Sequence, residues 1–411
     1  MIRMVRKGAV VASASLAVCL AAAACSSSSS SSSPSSGSSS SSSASSSSGA
    51  TVSISVAQFD RTLSAMSVLK PLTAAGKGNV AVILPDTVSS ARYTQFDAPY
   101  LTEALTKAGL TSSQFTVQNA QGSDATELSD AQTAITKGAS VLIMDPLDSG
   151  VGAQIESLAK SKGVGVVDYD RLTLGGSRAY YVSFNNVLVG TKIGQGFTAC
   201  TAAWHVAKPN VLVMKGAPTD NNATLFAQGY DAVLAPFFSS GKYVQVGSAA
   251  GTWDPPTALS EFQQQFTAHK TINSVVTPND ENAAPIIHYL QTKGVKAKTF
   301  PVTGQDATTV GLQNILAGYQ CGTVYKPIYL EAQAAVALAM FMRASKTPPS
   351  TLVNGATQDS KANVSVPSVL LQPTWVTTTN MASTVVADKF VTVAQLCVGQ
   401  YVALCKTAGI S

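Results

Sequence analysis

Five apolar runs of the chain end in short polar segments whose side chains can bind hydroxyl groups. They are VGVVDYDR (164–171), VLVMKGAPTDNN (211–222), SVVTPND (274–280), PVTGQD (301–306) and GTVYKP (322–327). A strand buried in a parallel sheet has a continuous run of Val, Ile and Leu, and ligands of open α/β sheets bind beyond the carboxyl ends of such strands. We therefore expect these Asp, Asn, Arg, Gln and Lys side chains to surround one small polar molecule. Because the set contains no His and no Cys, we expect neither a metal nor a cofactor.

Strand and helix patterns alternate along the chain and position these segments. The alternation begins at residue 79 and restarts near residue 185, so that each half has the size of an ordinary domain. Alternating strands and helices with short connections predict parallel sheets with right-handed crossovers. We predict an α/β fold of two doubly wound parallel-sheet lobes joined by a three-stranded hinge.

The predicted boundaries follow from this alternation. A lead-in segment (51–78) precedes an N-terminal lobe (79–184 plus 327–350), a C-terminal lobe (185–326 plus 360–380) and a C-terminal tail with a Cys pair (381–411).

The first 25 residues have the pattern of an export signal. Three cations, Arg3, Arg6 and Lys7, precede the apolar stretch GAVVASASLAVCLAAAA (8–24), which ends at Cys25. A charged start, an apolar middle and small residues before the cleavage site indicate a secretory signal peptide. The alternative is a transmembrane helix, but spanning needs about 20 apolar residues and this stretch is at the lower limit.

The small residues before Cys25 resemble a bacterial lipobox, with Ala22 in place of the usual Leu. We expect cleavage and lipid attachment at Cys25, since Cys19 follows Val18 and fits less well. Residues 26–50 are almost entirely Ser and have no apolar surface to offset the entropy of ordering, so they are predicted to be a flexible tether. The protein is therefore expected outside the cytoplasm, anchored to the outer face of the cell membrane.

Charge and cysteine content exclude several classes of protein. Without the three signal-peptide cations, 24 Lys and Arg residues are balanced by 22 Asp and Glu residues. This near-neutral charge does not indicate a nucleic-acid-binding protein.

Four cysteines remain after Cys19 and Cys25, and an even count outside the cytoplasm favours disulfides. Of three possible pairings we favour Cys200–Cys321 with Cys397–Cys405, and buried free thiols are the alternative. A zinc site is not expected, because none of the three His residues has ligand spacing to a Cys pair.

Taken together, the motifs resemble those of the type I periplasmic sugar-binding proteins of ABC importers, most closely the D-xylose-binding branch, in its Gram-positive lipoprotein form. The matching strings, in family order from about residue 79 to 373, are AVILPD with SARY, VDYDR, YYVSFNN, GAPTDNNATLF, TPND, PVTGQDA, AGYQCGTVYKPI and VPSVLLQP. The resemblance implies a monomer without enzymatic activity that binds a monosaccharide and delivers it to an ABC permease. D-xylose is the first choice of ligand, followed by glucose or another aldose.

The resemblance also implies which side chains contact the sugar: Arg92, Tyr93, Asp170, Arg171, Asp220, Asn222, Trp253, Asn279, Asp306 and Lys326. The first four are expected on one lobe and the next five on the other, with Tyr93 and Trp253 against the C–H faces of the sugar. Three positions depart from the family pattern. Tyr93 stands where Trp is common, Asn185 replaces an Asp, and Glu281 follows TPND where small residues are usual.

Structural roles are the alternative for several of these residues. Asn222 would then only cap a helix, Asp170 and Arg171 would form an ion pair, Trp253 would pack in a loop and Lys326 would be a solvated hinge residue. The assignment of Arg92 is the weakest, because it follows a long Ser-rich loop.

Two rival functions were considered. An exported glycosidase would use two carboxylates flanking a bond, and Asp145, Asp170, Asp220 and Asp306 provide enough acids. However, the sequence has neither G-x-S-x-G nor H-E-x-x-H, and we predict no enzymatic activity. A sensor or chemoreceptor with the same two-lobed body is the nearer alternative.

Overall fold

The computed structural model describes residues 52–411. The expected signal peptide (1–25), the lipidation site Cys25 and the tether (26–50) lie outside the described residues. Two 3₁₀ helices (Val56–Gln58 and Ser64–Leu69) and α1 (Lys70–Ala75) precede the first strand. Among residues 52–411, no helix combines the length and hydropathy that crossing a membrane requires.

The first lobe is built on alternating strands and helices. They are β1 (Asn79–Leu84), a π-helix (Tyr93–Asp97), α2 (Ala98–Lys107), β2 (Phe115–Asn119), α3 (Asp124–Thr136), β3 (Ala139–Met144), α4 (Ser149–Ser161), β4 (Gly165–Tyr169) and β5 (Tyr180–Phe184). Successive side chains of a strand point to opposite faces. In β1, Val80 and Val82 pack on the side of α2, whereas Ala81 and Ile83 pack on the side of α3 and α4. The apolar run of β1 is continuous because helices cover both faces of the sheet.

The second lobe repeats this arrangement. It contains α5 (Asn186–Ala203), β6 (Asn210–Val213), α6 (Asn221–Ser239), β7 (Val244–Gln245), α7 (Pro255–Ala268), β8 (Ser274–Val276), α8 (Asp280–Thr292), α9 (Thr309–Leu316) and β9 (Thr323–Tyr325). Strands β7, β6 and β8 are parallel neighbours. Isolated parallel bridges, Val275 with Val302 and Gln305 with Val324, connect β8 through residues 302–305 to β9.

The remaining elements return to both sheets. They are α10 (Ile328–Arg343), β10 (Gly355–Asp359), β11 (Val364–Leu371), β12 (Thr374–Val376), a second π-helix (Ala382–Val386), α11 (Val393–Leu396) and α12 (Tyr401–Thr407). The first sheet thereby gains two strands and has the order β10-β11-β5-β4-β3-β1-β2, in which only the β10–β11 pair is antiparallel. The chain passes between the two sheets three times: from β5 to α5, from β9 to α10 and from β11 to β12.

The prediction that segment 360–380 belongs to the C-terminal lobe is wrong for the larger part of that segment. Strand β11 pairs in parallel with β5, with Val369 opposite Val182 and Leu371 opposite Phe184, and so belongs to the first sheet. Only β12 joins the second lobe, where it pairs with β9. The physical reason is Pro373, which separates the two strands and has no N–H to continue the ladder.

Two disulfides lie in the described part of the chain. Cys200 of α5 is bonded to Cys321, and Cys397 is bonded to Cys405 of α12. The C-terminal tail contacts both lobes: Asp388 accepts hydrogen bonds from Tyr325 of β9 (2.9 Å) and Tyr329 of α10 (3.2 Å). The tail therefore lies against one of the crossings between the lobes.

Candidate functional site

A cavity lies between the two sheets, beyond the carboxyl ends of their strands. All ten residues that the sequence analysis selected line it, together with Ser89, Ser90, Phe226 and Gln305. The two sheets therefore bring Ser89 and Lys326, which are 237 residues apart in sequence, to one place. This is expected of parallel strands that end at a common edge.

Arg92 is the centre of a buried ionic cluster in the first lobe. Its guanidinium makes two bonds to Asp97 (2.9 and 2.7 Å), one to Asp170 (2.9 Å) and one to Glu331 of α10 (2.6 Å). Arg92 is 3% exposed, and the side chains of Asp97 and Glu331 are fully buried. Burial raises the pKa of Glu331 to about 8, and Arg92 opposes this shift. Arg92 thus joins the loop after β1 to the segment after β4.

Asp170 is the acceptor that this cluster presents to the cavity. It has a left-handed backbone (φ 56°) immediately after β4, a conformation that Asp adopts more readily than most residues. Burial alone would raise its pKa, but Arg92 and Lys326 together hold the pKa below its ordinary value. The carboxylate is therefore ionised and available as a hydrogen-bond acceptor.

Tyr93 lies between two cations. The guanidinium carbons of Arg92 and Arg171 are each 5.6 Å from the centre of its ring, within cation–π range. Its hydroxyl donates to Asp170 (3.3 Å) and accepts from Arg171 (3.0 Å). The ring is 3% exposed and is held on the cavity wall.

Asp220 and Trp253 form a polar and aromatic pair in the second lobe. The indole N–H of Trp253 donates to Asp220 (2.9 Å), and the Arg171 Nε lies 3.4 Å from the same carboxylate across the cleft. A Cβ on Gly216 would lie 2.2 Å from the indole ring, so glycine makes room for Trp253. Burial raises the pKa of Asp220 and Arg171 opposes the shift.

Asn222 does not cap helix α6, contrary to the structural alternative considered for it. The N-cap is Asp220, which accepts from the Asn222 N–H (2.8 Å). The Asn222 side chain instead reaches the first lobe, where its amide donates to the Asp170 carbonyl (2.9 Å) and accepts from Tyr181 (3.2 Å). It also accepts from Asn186 of α5 (2.8 Å). Asn222 therefore has the contacts of an interlobe residue.

Asn279 and Asp306 complete the second-lobe wall. Asn279 caps α8 through the Asn282 N–H (3.2 Å) and donates to the Ser89 carbonyl of the first lobe (3.4 Å). Asp306, in a left-handed conformation (φ 90°), accepts from the Ser90 hydroxyl (3.1 Å). Both residues thus contact the Ser-rich loop after β1.

Lys326 is buried rather than solvated, contrary to its structural alternative. Its ammonium lies 3.1 Å from Asp306 and 3.9 Å from Asp170, at the crossing from β9 to α10. The cavity wall thus contains three carboxylates (Asp170, Asp220, Asp306) and three cations (Arg92, Arg171, Lys326). This balance of formal charge suits a neutral polar ligand better than an acidic or a basic one.

Sequence reasoning did not select four lining residues: Ser89, Ser90, Phe226 and Gln305. Gln305 directly precedes Asp306, and Phe226 follows Asn222 by one helical turn, so spacing alone could have indicated both. The two serines belong to a loop without strand or helix signals, and their position depends on contacts with the other lobe.

The sequence was then compared with known proteins. The family model for the periplasmic binding protein domain matches residues 80–346. The D-xylose-binding periplasmic protein of Escherichia coli is 35% identical over 277 residues, which are 67% of this chain and 80% of that protein. The multiple sugar-binding periplasmic receptor ChvE of Rhizobium radiobacter is 30% identical over 341 residues, or 79% and 94% of the two chains.

A solved structure shows the same architecture. The carbohydrate transporter solute-binding protein from Chloroflexus aurantiacus, in complex with D-glucose, has a TM-score of 0.69 and 27% identity, covering 77% of this chain and 97% of that one. The predicted fold class, two parallel-sheet lobes of the type I periplasmic-binding-protein kind, is confirmed. The matched domain covers most of both lobes, and the chain belongs to the periplasmic binding protein family.

Proposed function

We propose that the protein captures one neutral monosaccharide, D-xylose in the first place, between its two lobes and delivers it to an ABC permease in the membrane. The observation that carries this proposal is the balanced set of charged and polar side chains from both lobes around one small cavity. The proposed contacts are the ten residues selected from the sequence.

The chemistry of the lining supports a sugar. Each sugar hydroxyl can donate one hydrogen bond and accept two. The ionised Asp170 accepts, as does Asp306 beside Lys326. Arg92, Arg171 and Lys326 donate, and the side-chain amides of Asn222 and Asn279 do both. A buried polar group left without a partner costs about 1–3 kcal/mol, so a sugar with one inverted hydroxyl is discriminated against. The rings of Tyr93 and Trp253 are the surfaces for the C–H faces.

The preference for xylose among aldoses is supported by one comparison. The E. coli relative, a D-xylose-binding periplasmic protein, is 35% identical over 277 residues. Glucose is the second choice, because the Chloroflexus protein of the same fold was solved with D-glucose.

Binding is proposed to work by lobe closure. The contacts Arg171–Asp220 and Asn222–Asp170 join the two sheets at the cavity. A ligand that binds both walls favours the state in which they are close. The three crossings between the sheets would act as the hinge, and the permease would recognise the closed form as the loaded one.

The anchoring of the protein is a separate part of the proposal. Lipid attached at Cys25 and the Ser tether would hold the binding lobes at the outer face of the membrane. A Cys25→Ser variant should then appear in the culture medium instead of the membrane fraction. If its distribution between the two matches that of the wild type, the anchor is refuted.

The ligand is tested with purified full-length protein. A panel of monosaccharides is screened by thermal unfolding, because a ligand that binds only the folded state raises the melting temperature by an amount set by its concentration and affinity. Calorimetry then compares the best sugar with Asp306→Ala, which should weaken binding by at least two orders of magnitude. The matched control is Asp60→Ala, since Asp60 is exposed and does not line the cavity. Unchanged affinity in Asp306→Ala would refute the site.

A further inference from the structure

Glu281 is a carboxylic acid placed at the contact between the lobes, outside the ring of ten proposed sugar contacts. It is the second residue of α8, after the N-cap Asn279. One carboxyl oxygen, Oε1, accepts the backbone N–H of Ala91 (3.1 Å) and lies 3.2 Å from the Ser90 hydroxyl. The other, Oε2, accepts the side-chain amide of Asn279 (3.2 Å). Glu281 thus binds the loop after β1 of the opposite lobe through two contacts.

The Ser90 hydroxyl lies between two carboxyl groups. Its oxygen is 3.2 Å from Glu281 and 3.1 Å from Asp306. A hydroxyl has a single proton to donate, so it can make one full hydrogen bond to a carboxylate. Both contacts become hydrogen bonds only when one of the two carboxyl groups is protonated and donates to the Ser90 oxygen.

The charged groups around Ser90 determine which carboxyl holds that proton. Asp306 has a cation beside it, since the Lys326 ammonium is 3.1 Å away. The charged groups that face Glu281 are Asp280 and Asp306 on its own lobe, together with Arg92 on the other lobe, and Arg92 is engaged by three carboxylates. Within residues 52–411, Glu281 therefore has acidic neighbours and no free cation. Burial, followed by Asp306 and Asp280, raises the pKa of Glu281 well above its ordinary value.

We propose that Glu281 is a positioning residue that holds the lobes together in its protonated form, so that capture of the sugar is accompanied by uptake of one proton. This inference rests on the proposed sugar-binding function. The proton comes from solvent and converts the carboxylate to the acid. The Glu281 O–H then donates to Ser90, and Ser90 donates to Asp306, which has the Lys326 ammonium beside it.

Proton uptake follows because only the closed arrangement shields the half-buried Glu281 with the other lobe. When the lobes separate, the carboxyl loses Ser90 and Ala91, and its pKa returns toward about 4.3, the ordinary value for Glu. Asp220 and Asp306 also contact the first lobe, through Arg171 and Ser90, so the part of the proton uptake due to Glu281 is the difference between wild type and Glu281→Gln. Two further acids keep their partners on opening. Asp280 is bonded to Thr308, Gln320 and Thr323 of its own lobe, and Glu331 is bonded to Arg92 of its own lobe.

The difference in the pKa of Glu281 between the closed and open forms sets the sign of the pH dependence of sugar affinity. The closed form binds the proton more tightly than the open form, so sugar affinity is greatest at low pH and falls as pH rises. Between the ordinary pKa and the raised one, a single linked proton changes the dissociation constant by up to about tenfold per pH unit. Below the ordinary value, both forms are protonated and this contribution to the pH dependence disappears.

Calorimetry of D-xylose binding at about pH 6, above the ordinary Glu pKa, tests the inference directly. Titrations in two buffers with different ionisation enthalpies give the number of protons taken up per sugar. We expect close to one for the wild type, and about one fewer for Glu281→Gln, which mimics the neutral acid. Glu281→Gln should also lose the proton-linked change in affinity between this pH and higher pH. Glu281→Ala removes both contacts and should bind more weakly at every pH.

The outcomes separate the two proposals. Binding with equal proton uptake in wild type and Glu281→Gln would overturn the role of Glu281 while leaving the sugar site intact. If no variant binds D-xylose or any other aldose, the proposed function fails and this inference fails with it. Thermal unfolding of each variant, compared with the wild type, verifies that the glutamine and alanine proteins are folded.

Discussion

Replacing Arg92 with methionine should destabilise the first lobe strongly. Arg92 makes four hydrogen bonds to Asp97, Asp170 and Glu331, and all four groups are at most 5% exposed. Methionine fills a similar volume but leaves three buried carboxyl groups without their cation. Removing one partner of a buried ion pair costs about 3–5 kcal/mol. At about 2 °C per kcal/mol for a chain of this size, the melting temperature should fall by roughly 6–10 °C.

The matched control is an exposed ion pair in the same lobe. Lys107 lies 2.8 Å from Glu103, four residues earlier in α2, and the two side chains are 38% and 48% exposed. Such a pair contributes under about 1 kcal/mol, so Lys107→Met should unfold within about 2 °C of the wild type. Scanning calorimetry at pH 7 compares the three proteins. If Arg92→Met were as stable as Lys107→Met, the buried cluster would not have the structural role assigned to it.

The same variant has a predictable response to pH. Without Arg92, the pKa of Asp170 loses the cation that does most to hold it below its ordinary value, and the pKa of Glu331, which Arg92 lowers, rises further. The folded variant therefore binds more protons than the folded wild type. The stability deficit relative to the wild type should therefore shrink as pH falls from 8 toward about 5. A deficit that stays constant over this range would contradict the electrostatic explanation.

Three further predictions concern the scaffold. Replacing both Cys200 and Cys321 with Ser opens a crosslink between residues 121 apart, and denaturant unfolding should show a loss of about 2–5 kcal/mol. Glu127 is buried, and burial raises its pKa to about 8. Because its pKa is higher in the folded than in the unfolded state, its stabilising contribution is lost as pH rises from about 5 to 8. Glu127→Gln should therefore flatten the dependence of melting temperature on pH. In Gly190→Ala, the new Cβ would lie 2.0 Å from the Phe226 carbonyl oxygen, so α5 and α6 must separate and urea titration should show a loss of about 1–3 kcal/mol.

Much of the architecture could be predicted because parallel sheets leave a strong signal. Strands β1, β3 and β4 are buried on both faces, so their apolar runs are nearly continuous, and polar residues begin where each strand ends. That rule selected Asp170, Asn222 and Asp306, and the structure brings all three to one cavity.

The remainder could not be predicted because it depends on contacts that are distant in sequence. Strand β11 was assigned to the wrong lobe, since an apolar run does not specify the sheet it joins until its neighbour, β5, is known. Ser90 gives no local signal and acquires its position from Glu281 and Asp306, about 190 and 216 residues away. The stacking of Phe390 on Phe96, with ring centres 3.9 Å apart, likewise joins the tail to the first lobe without any pattern in either segment.

A crystal structure of the full-length protein with D-xylose tests the central claim most directly. The account predicts one sugar ring in the cavity between the lobes, with its hydroxyls bonded to Asp170, Asn222 and Asp306 and its C–H faces against Tyr93 and Trp253. A sugar bound elsewhere on the protein, or held by one lobe alone, would contradict it.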